Sequence, residues 1–138
     1  VALHESFGSI VAHVAEVSVD AAGAIRVHRV VCAIDCGLPV NPNLIAQQME
    51  SNVVFGLSAA LFGRIDIDRG QVQASNFHDQ QIVRLEWAPL VETHIVPSAE
   101  PLGGVGEPGL PPIAPAVANA LFVLTGKRLR SLPLELTT

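Results

Sequence analysis

One glutamate sits inside a run that otherwise strips side chains away: Gly103-Gly104-Val105-Gly106-Glu107-Pro108-Gly109. Glycines ahead of a carboxylate let the backbone approach a ligand closely, because no Cβ stands in the way. The run lies just before a predicted helix N-terminus, so its amides can face an anion or an oxo group. Pro108 limits the backbone after Glu107. A carboxylate with a fixed backbone and a short reach suits a general base. The same composition also suits a Gly/Pro-rich connector with a solvated Glu107, and the residues alone leave both readings open. The glycine spacing is not that of the dinucleotide fingerprint, and no strand leads directly into it.

Gln48 is the second candidate. It lies on a predicted helix in apolar surroundings, where an unpaired amide is costly. A buried glutamine needs a partner for its donor and its acceptor, which a polar cofactor supplies and loop backbone supplies equally well. Gln47 and Glu50 read as solvated or interface residues. Cys32 and Cys36 are the only cysteines. Two ligands at that spacing do not close a zinc site, and His4, His13, His28, His78 and His94 fall at no ligand spacing. Both cysteines read as structural thiols near a strand end. A disulfide is disfavoured because an extended chain holds Cys-x-x-x-Cys sulfurs apart.

The elements that must position these groups follow from hydrophobic patterning. Ser9 to Val19 and Ile25 to Asp35 read as strands joined through Asp20-Ala-Ala-Gly23, a hairpin with turn chemistry. Asn43 to Leu61 reads as a helix capped by Asn41 or Asn43, with Pro42 near its start. That helix is apolar nearly all round, so it is expected to be buried on more than one side. Phe62 to Ile67 and Gln71 to Ala74 bracket Asp68-Arg69-Gly70 as a second hairpin. Ser75 to Trp87 reads as loop, and Leu90 to Val96 as a short strand. Pro97 to Pro112 is too rich in Gly and Pro for regular structure. Ile113 to Thr125 reads as a second helix, with Gly126 as its stop. Ser131 to Thr138 is a candidate short strand. The order β-β-α-β-β-β-α predicts an α+β fold, a mixed or antiparallel sheet built from hairpins with two packed helices. No parallel βαβ pattern is strong enough to claim.

The 138 residues suffice for one domain with a real core. They are 49% hydrophobic and only 15% charged, which points to a highly buried domain or to a piece of a larger protein with its interface bare. A net charge of -5 gives no basic field, so nucleic acid is not an expected partner. No apolar run reaches the length of a membrane span. The chain begins at Val1 with no signal-like segment, so the compartment, cytoplasm or periplasm, is left open.

Read together, Asn41-Pro42, Gln48, Glu50 and Gly56-Leu57 resemble the Asn-Pro…Gln-x-Glu…Gly-Leu segment of the xanthine dehydrogenase and aldehyde oxidoreductase family. Gly104-Val105-Gly106-Glu107-Pro108 resembles the signature near the end of that family's molybdenum-binding large subunit, and Ala114 to Ala120 resembles the helix after it. Ile34-Asp35-Cys36-Gly37 and Ser75-Asn76-Phe77-His78-Asp79 are most similar to the isoquinoline 1-oxidoreductase β-subunit branch. The match runs from about Val30 to Pro133. It implies that Glu107 is the base that takes a proton from a molybdenum-bound hydroxyl as its oxygen attacks an electron-poor carbon. It implies that Gln48 hydrogen-bonds an oxo ligand, and that Gly103, Gly104, Val105 and Gly106 approach the metal and pterin. No side chain is implied as a direct metal ligand, and Gln48 and Glu107 are expected at one open cavity.

The implied cofactor is molybdenum–molybdopterin cytosine dinucleotide, held by the full subunit and not by this chain alone. The implied 2Fe-2S clusters belong to a small iron–sulfur partner subunit, since the chain lacks the four cysteines a cluster needs. Residues 1–138 then form a single domain, the C-terminal portion of a molybdopterin-binding subunit. The remainder of that subunit is a partner, and the substrate is an N-heterocycle or an aldehyde. By itself such a piece is expected to be inactive. The alternative is a non-catalytic binding or assembly module that keeps the fold. Departures from the family pattern fall at Gln47, Ser51, Asn52 and Phe55, where the family often has Gly, small residues and Gln; they bear on the first helix and leave Glu107 untouched.

Overall fold

A computed structural model describes residues 1–136. Strand β1 (Ala2–Ser6) turns through Phe7-Gly8 into β2 (Ser9–Val19), which pairs antiparallel with β3 (Ile25–Asp35). Phe7 and Gly8 both have positive φ, 55° and 73°, as a two-residue hairpin turn with the native strand twist requires. Strand β1 escaped the sequence reading because this turn lacks the usual Asn-Gly or Asp-Gly signal. The β2–β3 turn is held by the Asp20 carboxylate, which accepts from the amides of Ala22 and Ala24 at 2.9 and 2.8 Å.

Alternation along β3 changes phase once. Ile25 and Val27 point to the core, and then Val30, Cys32 and Ile34 do. The register shift opposite Glu16/Val17 absorbs His28 as a bulge, which keeps apolar side chains inward on both sides of the irregularity.

Helix α1 (Pro42–Phe62) follows. Asn41 is its cap, accepting from the Leu44 amide at 3.1 Å, and Pro42 opens the first turn. The chain then forms a small hairpin, β4 (Ile67–Asp68) and β5 (Gln71–Val72), shorter than the pattern suggested. A single 3-10 turn (Leu85–Trp87) ends the segment read as loop. Strand β6 (Leu90–Ile95) pairs parallel with β3, a crossover whose pattern is too weak to claim from sequence, and it makes the sheet mixed, one of the two arrangements expected. This crossover hid in the sequence because β6 is a short, half-exposed edge strand and the connection after α1 is long and polar. The mixed sheet has the order β1-β2-β3-β6. Helix α2 (Ile113–Thr125) closes on Gly126, whose φ of 72° is the left-handed cap. Residues 131–136 form no strand; instead the Leu134 amide donates to Ala60 O at 2.7 Å and its side chain is buried. The last two residues of that candidate strand lie outside the described residues.

Both helices pack on one face of the sheet, α2 across β2 and β1 and α1 along β6 and β3. The main core joins Val27 and Val30 to Val53, Leu57, Ile113, Val117 and Leu121. Gly56 lets the helices meet, since a Cβ there would overlap the Ile113 side chain. A second cluster, Val11, Cys32, Ile34, Cys36, Ile45 and Met49, fills one end of the sheet. That end carries the glycine-rich loop. Among the described residues no helix is long and apolar enough to cross a membrane.

Candidate functional site

The loop is anchored residue by residue. The Gly103 amide donates to Cys36 O at 3.0 Å, just past β3, and the Gly104 amide donates to Phe7 O at 2.8 Å in the β1–β2 turn. Ser9 Oγ returns a bond to Gly104 O at 2.7 Å. A side chain at Gly103 would overlap Ser9 Oγ and the Gly8 carbonyl, so only glycine fits under this turn. Val105 packs onto the second apolar cluster. Its neighbour Gly106 is different: its φ is not positive, and nothing lies within 4 Å of where its Cβ would stand.

Glu107 begins a turn in which its carbonyl accepts from the Leu110 amide at 3.0 Å. Pro108 is fully buried, whereas the Glu107 side chain is exposed. The carbonyls on either side of this step are held by buried side chains. Asn52 Nδ2 donates to Gly106 O at 2.8 Å. His13 Nε2 lies 2.7 Å from Gly109 O, and since a carbonyl only accepts, Nε2 carries the proton. Burial pushes the His13 pKa down, with the bond to Gly109 opposing, so the ring is neutral in this tautomer at pH 7.

Gln48 is exposed on α1 and not in apolar surroundings, because the apolar stripe of the helix runs through Ile45, Met49, Val53 and Leu57. The same Asn52 amide that holds Gly106 O also donates to Gln48 O. One side chain thus ties the helical turn bearing Gln48 to the loop bearing Glu107. Gln47, Glu50 and Ser51 turn elsewhere, lining a shallow cleft with Val83 and Leu85. Cys32 and Cys36 are buried free thiols below the loop, and burial pushes the Cys32 pKa up to about 12. Among the described residues no three His, Cys, Asp or Glu side chains gather as a metal-ligand group.

Sequence reasoning does not single out Phe7, Ser9, His13 or Asn52 as site residues; it sets His13 aside as a non-ligand and names Asn52 only as a departure from the family pattern. His13 carried a legible signal, a histidine at an inward position of an alternating strand. Asn52 carried another, a polar residue on the apolar stripe of a helix.

Residues 4–89 match the family model described as molybdopterin cofactor-binding domain. The isoquinoline 1-oxidoreductase subunit beta of Brevundimonas diminuta is 40% identical over 80% of this chain, which spans 14% of that protein. The membrane-bound aldehyde dehydrogenase (pyrroloquinoline-quinone) of Gluconacetobacter polyoxogenes is 33% identical over 88% of this chain and 16% of its own length. The crystal structure of quinoline 2-oxidoreductase from Pseudomonas putida 86 superposes with a TM-score of 0.83 at 21% identity, over 91% of this chain and 17% of that one. The chain belongs to the molybdopterin cofactor-binding domain family found in the large subunits of the xanthine dehydrogenase and aldehyde oxidoreductase enzymes.

Proposed function

We propose that this chain supplies the general base and the metal-facing loop of a molybdenum hydroxylase, acting on an N-heterocycle or an aldehyde with water as the oxygen source. The observation that carries the proposal is Glu107: its carboxylate is exposed, while the backbone on both sides of it is held by buried donors. A base so placed loses little freedom when it meets its substrate.

The residues present fit a molybdenum–pterin group. Gly106 has neither a conformational nor an intrachain steric reason to be glycine, so the space it leaves suits something outside the chain. The amides of Val105, Gly106 and Glu107 donate to no acceptor among the described residues, leaving three donors for an oxo or anionic group. When bound, that group supplies two-electron redox chemistry and the water-derived oxygen. The Glu107 carboxylate would accept the proton released in that chemistry, and the bound group would take up the two electrons. Gln48 offers a side-chain amide donor from the adjoining helix, and Gly103 and Gly104 hold the loop in reach. Since the chain spans 14% of the isoquinoline relative, most of the pterin site and the substrate pocket fall to other segments, and electrons leave through 2Fe-2S clusters on a partner subunit. The names of the relatives, isoquinoline and aldehyde enzymes, support the two substrate classes.

The test is cofactor analysis of the enzyme purified with its natural neighbours, alongside dye reduction by isoquinoline and by an aldehyde. Molybdenum near one per subunit, a released cytosine nucleotide and oxygen-18 transfer from water support the proposal. Pyrroloquinoline quinone without molybdenum overturns it in favour of the cofactor named for the Gluconacetobacter relative. A cofactor-free, inactive complex favours a non-catalytic assembly module.

A further inference from the structure

Two buried polar side chains grip the Glu107 segment from opposite sides, and the catalytic reading above gives neither a role of its own. Asn52 is 4% exposed and His13 is 0% exposed. Asn52 spends both Nδ2 hydrogens, one on Gln48 O and one on Gly106 O. Its orientation is fixed by chemistry, because the flipped amide would aim an oxygen at two carbonyls. Asn52 Oδ1 and His13 Nδ1 are buried with no partner. Groups left unsatisfied in this way cost stability. The grip is also tight: a Cβ at Gly109 would stand 3.0 Å from Met49 Sδ and 3.1 Å from Asn52 Cβ. Three of the four carbonyls from Gly106 to Gly109 are therefore occupied, Gly106 by Asn52, Glu107 by Leu110 N–H and Gly109 by His13.

We infer that Asn52 and His13 form a two-sided clamp, positioning residues that fix the Glu107 segment against α1 and β2. Asn52 also sets the spacing between that segment and Gln48, so it couples the two groups assigned to the metal site. The inference rests on the proposed role of Glu107 for its effect on rate, and on the hydrogen bonds alone for its effect on the loop.

The experiment uses the complete holoenzyme with Asn52→Ala, Asn52→Asp and His13→Gln, each alone and in a Glu107→Gln background. Asn52→Asp keeps the shape and replaces the donor by an oxygen facing two carbonyls, so it should be the worst of the three. Amide exchange across Val105–Leu110 is expected to quicken at least about tenfold. The kcat is expected to fall about 10- to 100-fold, the scale of a misplaced reacting group, with molybdenum content held and KM little changed. In the Glu107→Gln background the same substitutions should cost clearly less than in the parent, since the main group they position is gone. Unchanged exchange across the loop overturns the clamp, and so does a rate loss that persists in full without the Glu107 carboxylate. If Glu107→Gln keeps full turnover while the loop still exchanges faster in the clamp variants, the clamp stands and the base assignment falls. Should His13→Gln fail to fold, the Asn52 pair carries the test alone.

Discussion

Gly103 and Gly106 differ by three positions and should respond in opposite ways to one added methyl group. At Gly103 a Cβ overlaps Ser9 Oγ and the Gly8 carbonyl. The second of these is backbone, so the loop must lift. Lifting removes the Gly103–Cys36, Gly104–Phe7 and Ser9–Gly104 bonds, at about 0.5–1.5 kcal/mol each. Against that loss of about 2–4 kcal/mol, replacing glycine stiffens the unfolded chain by about 0.4–1 kcal/mol. Gly103→Ala should therefore destabilise by about 1–3 kcal/mol. At Gly106 the methyl meets nothing, so only the unfolded-state term remains, and Gly106→Ala should be neutral or stabilising by up to about 1 kcal/mol. Urea unfolding of the two variants and of Ser9→Ala, which loses one of the three bonds, measures all of this. Molybdenum content supplies the second half of the contrast: Gly106→Ala should lower occupancy in the complete enzyme while leaving the fold intact. Gly103→Ala as stable as the parent, or Gly106→Ala clearly destabilised, would refute the seating of the loop.

Three further outcomes follow from the packing and the titrating groups. Gly56→Ala gains about 1 kcal/mol of helix propensity but overlaps Ile113, an overpacking cost of about 1–3 kcal/mol, so urea unfolding should show a net loss that Ile113→Ala relieves in the double variant. Cys32, its pKa pushed up to about 12 by burial, should resist iodoacetamide at pH 8 in the native state and react in urea. His13 titrates below its ordinary value of 6.5 in the folded protein because it is buried, so the unfolded chain binds more protons beneath that pH. Its contribution to stability is full above about 6.5 and declines as pH falls toward the lowered native value, and unfolding free energies across that range should flatten in His13→Gln.

The sequence made the long elements legible because their patterns are strong: β2 and β3 alternate, α1 carries an Asn-Pro start, and α2 stops at Gly126. The short edge strands were harder. β1 hangs on the turn at Phe7, a residue that rarely takes positive φ, and β6 is defined by its parallel partner more than by its own composition. The glycine loop was recognisable as a place for Glu107, but composition does not separate a glycine that fits under a turn from one that leaves room. Gly103 and Gly106 look alike in sequence, and only the positions of Ser9 and Gly8 tell them apart. An apolar helix implies a buried Gln48, yet the stripe runs one position away along Met49. Asn52 and His13 act across more than fifty residues of chain separation, so local pattern marks each as an inward polar residue without naming the carbonyl it holds.

Turnover of the complete enzyme with Glu107→Gln bears most directly on the proposed base, with molybdenum measured on the same samples. The substitution keeps the size and much of the hydrogen bonding of the side chain and removes its basicity. A positioned general base contributes roughly 10²–10⁴ in rate, or about 3–5 kcal/mol of barrier at about 1.4 kcal/mol per tenfold. The expected result is a loss of at least that factor with an N-heterocycle or an aldehyde, at unchanged metal content and unchanged fold. Near-normal turnover at full molybdenum occupancy would show that Glu107 is not the base.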